Sequence, residues 1–194
     1  MCTGKCSRFI AFTLYPLVLL SIICNILLFF PDWKTKYVKE GHITDEVKYM
    51  GGFIGGGVLA LLPALYIHLT GEQGCCANRF GMFFSIIFAA VGVAGAVYSF
   101  IVALLGLSSG PMCQIDDGTW GMPFQNSNLE YVKNHVMWNQ CKEPKDVVKF
   151  NIALFITLMV ASVLQALLCA SQIINGFFGC LCGTCNDTEV KTVV

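Results

Sequence analysis

Four stretches of this chain lack any Asp, Glu, Lys or Arg and are long enough to cross a lipid bilayer: Phe9 to Phe30, Tyr49 to Thr70, Met82 to Leu107 and Ile152 to Phe178. A helix rises about 1.5 Å per residue, so about 20 apolar residues cover the hydrocarbon core. The rest of the composition agrees. Charged residues make up 12 % of the chain, against roughly 25 % in a soluble domain, too few to clothe a water-facing surface. Lys plus Arg and Asp plus Glu number 12 each, so no basic excess exists to meet phosphates, and nucleic acid is excluded as a partner. The expected fold is an all-α membrane protein, a bundle of four transmembrane helices.

The second stretch is the least regular, with Gly51, Gly52, Gly55, Gly56, Gly57 and Pro63. Transmembrane helices tolerate both residue types, and Val58 to Leu69 is solidly apolar. The first stretch follows Lys5 and Arg8 as a signal peptide would. It is about twice a normal signal core, however, and ends in Phe29-Phe30-Pro31-Asp32 without a small-residue cleavage site. It reads as an uncleaved helix. The expected organisation is a tail over 1–8, spans over 9–30, 49–70, 82–107 and 152–178, a short loop over 31–48, a connector over 71–81, a large loop over 108–151 and a second tail over 179–194.

Four spans put both tails on one face. That face, with the connector, holds Lys5, Arg8, Arg79 and Lys191, and the opposite face holds the other eight cations. Counted alone, the positive-inside rule places the tails outside. The 11 cysteines argue the reverse. Cys2, Cys6, Cys75, Cys76, Cys180, Cys182 and Cys185 crowd the tail face beside membrane ends, where a reducing cytosol would keep them free for reversible palmitate. Cys113 and Cys141 alone lie in the large loop, as a pair stapling it in an oxidising compartment would. Cytosolic tails and an extracellular pair of loops account for both groups.

Several features carry candidate chemistry. Gly51/Gly55 and Gly52/Gly56 are overlapping small-xxx-small steps, and Ser85, Ala89, Gly92, Ala96, Ser99 and Ala103 offer matching small positions on the third span. Such residues let helix backbones approach closely in lipid, within one bundle or across an oligomer. Asn25, Gln165, Gln172 and Asn175 bring amides to membrane depth, and Asn25 and Gln165 are expected to hydrogen-bond across helices. Among the large-loop aromatics, Trp120, Phe124, Tyr131 and Trp138 fit a small stapled core better than an exposed anchor. Cys182-Gly-Thr-Cys185 has zinc-ligand spacing, but no metal-binding module surrounds it, so neither metal nor cofactor is expected. Thr192 and Val194 form a tail that a PDZ groove would take. The chain has no H-E-x-x-H, G-x-S-x-G, P-loop or Rossmann fingerprint, and the spans hold no charge to line a proton path, which disfavours enzyme and transporter readings alike.

These landmarks together resemble the four-transmembrane L-six family. The resemblance runs through Met1-Cys2-Thr3-Gly4-Lys5-Cys6, Asn25-Ile26-Leu27-Leu28-Phe29-Phe30-Pro31, Gly51-Gly52-Phe53-Ile54-Gly55-Gly56-Gly57 and Leu62-Pro63-Ala64. It continues with Gly110-Pro111 before Cys113, Cys141-Lys142-Glu143-Pro144, and Gln172-Ile173-Ile174-Asn175-Gly176. A tetraspanin Cys-Cys-Gly in the large loop and a claudin Trp/Cys pattern in the first loop are both missing. The resemblance implies cytosolic tails, a short and a large extracellular loop, and a non-enzymatic, tetraspanin-like organiser at the plasma membrane. Its partners would be lipids, other integral membrane proteins, a second copy of the chain, or a PDZ protein at the tail, with roles in adhesion, migration or growth. A small-molecule transporter or channel is the rival reading. One departure is that Asn151-Ile152-Ala153 breaks the glycosylation sequon that members often carry there. The one ordinary sequon, Asn186-Asp187-Thr188, lies in the tail, where cytosolic placement would leave it bare.

Overall fold

A computed structural model describes residues 3–31, 34, 36–71, 79–115, 118–125, 127 and 129–182. Four of its helices are long and apolar enough to cross a membrane. They are α1 (Thr3–Leu28), a composite second rod, α6 (Arg79–Ser109) and α8 (Val147–Cys182). In the chain between α1 and the rod lie two single turns, α2 (Lys36–Lys39) and α3 (Asp45–Lys48). The rod itself joins α4 (Gly51–Phe53), a π-helical turn over Ile54–Val58, and α5 (Leu59–Gly71). The helices overrun the apolar stretches at several ends. Polar residues at the bilayer surface continue a helix readily, because its backbone is already satisfied within the rod.

The second span departs from a plain helix over 49–70. Met50 takes a left-handed conformation with φ 50° and separates α3 from α4. The π turn follows over the glycine run, the part of the chain with the least side-chain bulk to resist a wider ladder.

Around the bundle the order is α1, α5, α6, α8, so each helix lies beside its chain neighbours and α8 closes back on α1. The inward face of α6 runs Met82, Ser85, Ala89, Gly92, Ala96, Ser99 and Ala103, all buried. Steps of three and four in alternation make a seven-residue repeat, the pattern of left-handed helix packing. On α8 the same alternation carries Asn151, Phe155, Leu158, Ser162, Gln165, Cys169 and Gln172. The outward faces are apolar too, with Phe80, Val97, Leu105, Val160 and Leu167 exposed. A soluble helix shows nothing of the kind; lipid removes the penalty.

Over the α1-end and α6-end side of the bundle sits a cap made of both loops. β1 (Cys113–Gln114) pairs antiparallel with β2 (Trp120–Gly121), in register Cys113 to Gly121 and Gln114 to Trp120. Gln114 also bridges to Glu143, and a disulfide joins Cys113 to Cys141. A single turn, α7 (Glu130–Lys133), and a 3-10 turn over His135–Gln140 complete the large loop. Gly110 turns the chain out of α6 with φ 71°, and a Cβ there would stand 2.8 Å from Phe124 Cβ. Both the conformation and the close approach require glycine.

Candidate functional site: a two-loop cap on a glycine-packed bundle

The cap has a core of its own that runs on into the bundle. Phe124 and Tyr131 are fully buried and stacked, centroids 4.6 Å apart. The Tyr131 hydroxyl donates to the Leu107 carbonyl at the end of α6, and the Trp138 indole donates to the Tyr131 carbonyl at 2.7 Å. Burial pushes the Tyr131 phenol up to about 12. Trp120 and Trp138 are half-buried. The smaller loop is less polar in its packing than its composition suggests: Tyr37, Ile43 and Val47 are buried, and Ile43 and Val47 join the cluster of Cys113, Phe124 and Tyr131. His42 stacks on Trp120 at 3.9 Å, with planes 5° apart. Ser109 donates to Glu46 at 2.6 Å. The two loops are therefore one unit. Val136 is 76 % exposed on its outer turn, an apolar side chain presented to whatever approaches.

Below the cap, the glycine run meets three helices at once. Gly51 and Gly55 face α6: a Cβ on Gly51 would meet Val102, and one on Gly55 would land on the Gly95 carbonyl oxygen. Gly52 and Gly56 face α1 and α8, where a Cβ would stand 2.7 Å from Leu158 and 2.9 Å from Ser21 respectively. Farther along, Gly92 on α6 leaves the notch that receives the Pro63 ring and the Cys169 sulfur. These contacts are between helices of one chain.

Polar side chains fill the seams. Gln165 Nε2 donates to the Gly56 carbonyl at 2.8 Å and reaches Ser21 Oγ at 3.4 Å. Ser162 donates to Ser99 at 2.9 Å. Nearer the chain termini, Gln172 and Asn175 meet Ser7 and Ser85, with Asn175 Nδ2 to Ser7 Oγ at 2.9 Å and Gln172 Nε2 to Ser85 Oγ at 3.2 Å. Asn25 is buried beside Gly52, and its Oδ1, like Gln165 Oε1, has no hydrogen-bond partner among the described residues. The backbone carbonyls of helices around it are already engaged in their own ladders, and a carbonyl oxygen cannot satisfy an acceptor. Hydroxyls on the outer faces turn back instead. Thr13, Thr157 and Ser171 each donate to the carbonyl four residues earlier, as groups facing lipid must.

At the membrane end near the termini, Cys6 is exposed and Cys180 half-buried. Arg8 lies over the Phe12 ring, 5.7 Å from its centroid. Cys182 closes α8. Cys2, Cys75, Cys76, Cys185, Thr192 and Val194 lie outside the described residues. Between α6 and α8, small side chains at Ala96, Ala166 and Ala170 leave an apolar groove of about 370 Å³ on the outer side of the bundle.

The model of the family described as L6 membrane protein matches residues 1–186. This chain belongs to that family. Transmembrane 4 L6 family member 4 of Mus musculus is 46 % identical over 193 residues, covering 95 % of this chain and 94 % of the relative. Member 5 of Bos taurus is 42 % identical, covering 97 % and 98 %, and member 1 of Homo sapiens is 40 % identical, covering 95 % and 96 %. No solved structure matches the chain. As an L6 protein with four membrane-crossing helices, it is a multi-pass integral membrane protein of a family usually found at the plasma membrane. The relatives carry the names of membrane-family members and not of enzymes.

Within this L6 chain, sequence reasoning missed His42 and Tyr37, whose rings lie against Trp120 and join the two loops. Tyr37, Ile43 and Val47 in a short, otherwise charged loop were the available signal of a buried face. The alternating three-and-four spacing of small and polar residues along α6 and α8 was another.

Proposed function

We propose that this L6 protein is a non-enzymatic membrane organiser that gathers other membrane proteins by lateral association, with consequences for adhesion, migration or growth signalling. The observation that carries the reading is the division of its surfaces. Ser7, Ser85, Ser99, Ser162, Gln165 and Gln172 point inward and hydrogen-bond across the seams, outward Thr13, Thr157 and Ser171 satisfy themselves, and what remains outside is apolar helix and a stapled cap. Such a body suits contact with lipid and with neighbouring helices, where close packing drives association. The groove between α6 and α8 gives a neighbouring helix room to approach, and Val136 gives a partner's ectodomain an apolar contact.

In this proposal the cap faces the exterior and the tails face the cytosol. The Cys113–Cys141 disulfide supports it, since such bonds persist in oxidising compartments. Cys6 and Cys180 are then cytosolic, with Cys2, Cys75, Cys76, Cys182 and Cys185 as further acylation candidates, and acyl chains would tune placement in the membrane. Thr192 and Val194 would serve a PDZ protein.

The test is proximity labelling and pull-down from intact cells, with the wild type against a Cys113→Ser/Cys141→Ser variant. The variant is expected to reach the membrane and capture fewer surface proteins. Equal display and equal capture would remove the cap from the mechanism. Solute flux in vesicles holding the purified chain, absent from empty vesicles, would favour the transporter reading.

A further inference from the structure

One stripe of α1 carries Lys5, Arg8, Phe12 and Tyr15, whose spacings of three and four place them on a shared helix face. Lys5, Arg8 and Phe12 are exposed, as is Phe9 beside them. Arg8 lies over the Phe12 ring, 5.7 Å from its centroid. A helical side chain leans toward the N-terminus, which brings Phe12 back over the turn that Arg8 leaves. α5 touches the same ring. His68 packs on Phe12 with centroids 5.1 Å apart, and its Nδ1 shares a hydrogen bond with the Tyr15 hydroxyl at 3.1 Å. Two helices therefore fix the aromatic platform, while the guanidinium above it stays exposed.

The cations of this end are uncompensated. In the short loop at the opposite end of the bundle, Lys36 and Lys48 have carboxylate oxygens 4.0 and 2.7 Å away. Lys5 and Arg8 have no carboxylate within ion-pair reach among the described residues. The helices packed around α1 bring none either: α5, α6 and α8 contain no Asp or Glu, and Glu72, Asp187 and Glu189 lie outside the described residues. Arg8 also stands directly before the charge-free stretch that opens at Phe9. That is the depth at which the phosphate of a lipid meets its acyl chains.

We propose that this stripe is a docking site for one anionic phospholipid, with Arg8 and Lys5 taking the headgroup and Phe9 and Phe12 lying against the acyl chains. A guanidinium over an aromatic ring spends its face on the ring and keeps its in-plane N–H donors for two oxygens of one phosphate. Lys5, one turn nearer the tail, adds a second charge for the same headgroup. Phe9 and Phe12 are 69 % and 53 % exposed, so hydrocarbon has a surface to cover immediately below the cations. A lipid supplies phosphate and hydrocarbon together at one depth, and a soluble anion supplies only the first. Because His68 and Tyr15 hold Phe12, Arg8 is placed before the lipid arrives and less freedom is lost on binding. With the tails in the cytosol, as proposed above, the stripe meets the leaflet that carries the anionic lipids. The binding itself is independent of that orientation.

Native mass spectrometry of the purified full chain tests it, with phosphatidylserine and phosphatidylcholine of the same acyl chains added in turn. The first phosphatidylserine is expected to bind about tenfold more tightly than the first phosphatidylcholine, the scale of two basic residues at an anionic lipid. Lys5→Gln with Arg8→Gln should bring the two lipids within about twofold of each other. Phe12→Leu stays apolar toward lipid and should cut the preference about threefold, the scale of one exposed cation–aromatic contact. Glycerophosphoserine, the headgroup without chains, should not displace the lipid. A wild type that binds both lipids equally, or a double variant that keeps the full preference, overturns the proposal. Displacement by glycerophosphoserine overturns it too, since the cations would then belong to a soluble anion. Should the double variant fail to fold, Phe12→Leu decides: an unchanged preference overturns the docking site.

Discussion

At the scale of single residues, lipid changes what a side chain is for. Burying a methyl group gains nothing over lipid, so what stabilises the bundle is close approach, and glycine permits it. Gly55 is the extreme case, because the Cβ of even an alanine would land on the Gly95 carbonyl. Backbone cannot step aside as a side chain can. Gly55→Ala should therefore destabilise the protein by about 1–3 kcal/mol, the usual scale of overpacking, read from unfolding in mixed micelles. Gly121→Ala is the control: its Cβ would meet only the mobile tip of Ile115 at 3.3 Å, and a change of less than about 0.5 kcal/mol is expected, as at an ordinary surface site. Tyr131 makes the complementary point in the cap. Its phenol is held neutral by burial, up to about 12 from an ordinary value of 10.0. The folded cap binds that proton more tightly than the unfolded chain, so this contribution is complete below pH 10 and lost as pH rises toward 12. Near-ultraviolet circular dichroism should show the cap loosening across that window. Tyr131→Phe should lose that alkaline step, at a cost of about 1 kcal/mol for the missing hydrogen bond to Leu107.

At the scale of elements, the glycine run is a hub because it is not an ordinary helix. Over Ile54–Val58 the π turn widens the ladder, and the glycines before and within it address α6 on one side and α1 with α8 on the other. Gln165 reads that widened backbone directly through the Gly56 carbonyl. Replacing Gln165 by Leu keeps the volume and removes the bond. The expected loss is about 0.5–1.5 kcal/mol, the range measured for interhelical hydrogen bonds in membranes. Pairing it with Ser21→Ala in a double-mutant cycle checks the link, since the two side chains lie 3.4 Å apart and should prove non-additive. The four spans were legible as elements, because freedom from charge over 20 residues has few other causes. The repeat on their inward faces was harder to see. Amphipathic contrast vanishes when both faces are apolar, and it survives only as the spacing of Ser85, Ala89, Gly92, Ala96 and Ser99.

For the whole molecule, the disulfide governs how the cap relates to the bundle. It closes a loop with a sequence separation of 28 residues, worth roughly 3–4 kcal/mol of unfolded-state entropy. The same cap shares its core with the ends of α6 and α8 through Leu107, Val148 and Ile152. Opening the staple should therefore soften the cap and leave the four spans inserted. In Cys113→Ser/Cys141→Ser, limited proteolysis within 111–146 should accelerate while helical circular dichroism stays unchanged. Loss of helix as well would mean that cap and bundle fold as one cooperative unit. Epitope tags at the two termini, probed on intact and permeabilised cells, decide which face the cap occupies.

Hydrophobicity alone determined that this chain crosses a membrane four times, because hydrocarbon excludes charge and admits helices whose backbones satisfy themselves. The two lone loop cysteines likewise foretold their own bond. Residues far apart in the chain acquired their meaning only in three dimensions. His42 and Trp120, Pro63 and the Gly92 notch are separated by tens of residues and carry no local periodicity. Their pairing depends on which helix lies beside which and on the turn through which each loop leaves the bundle, quantities that close packing of the assembled body sets and that no stretch of chain holds by itself.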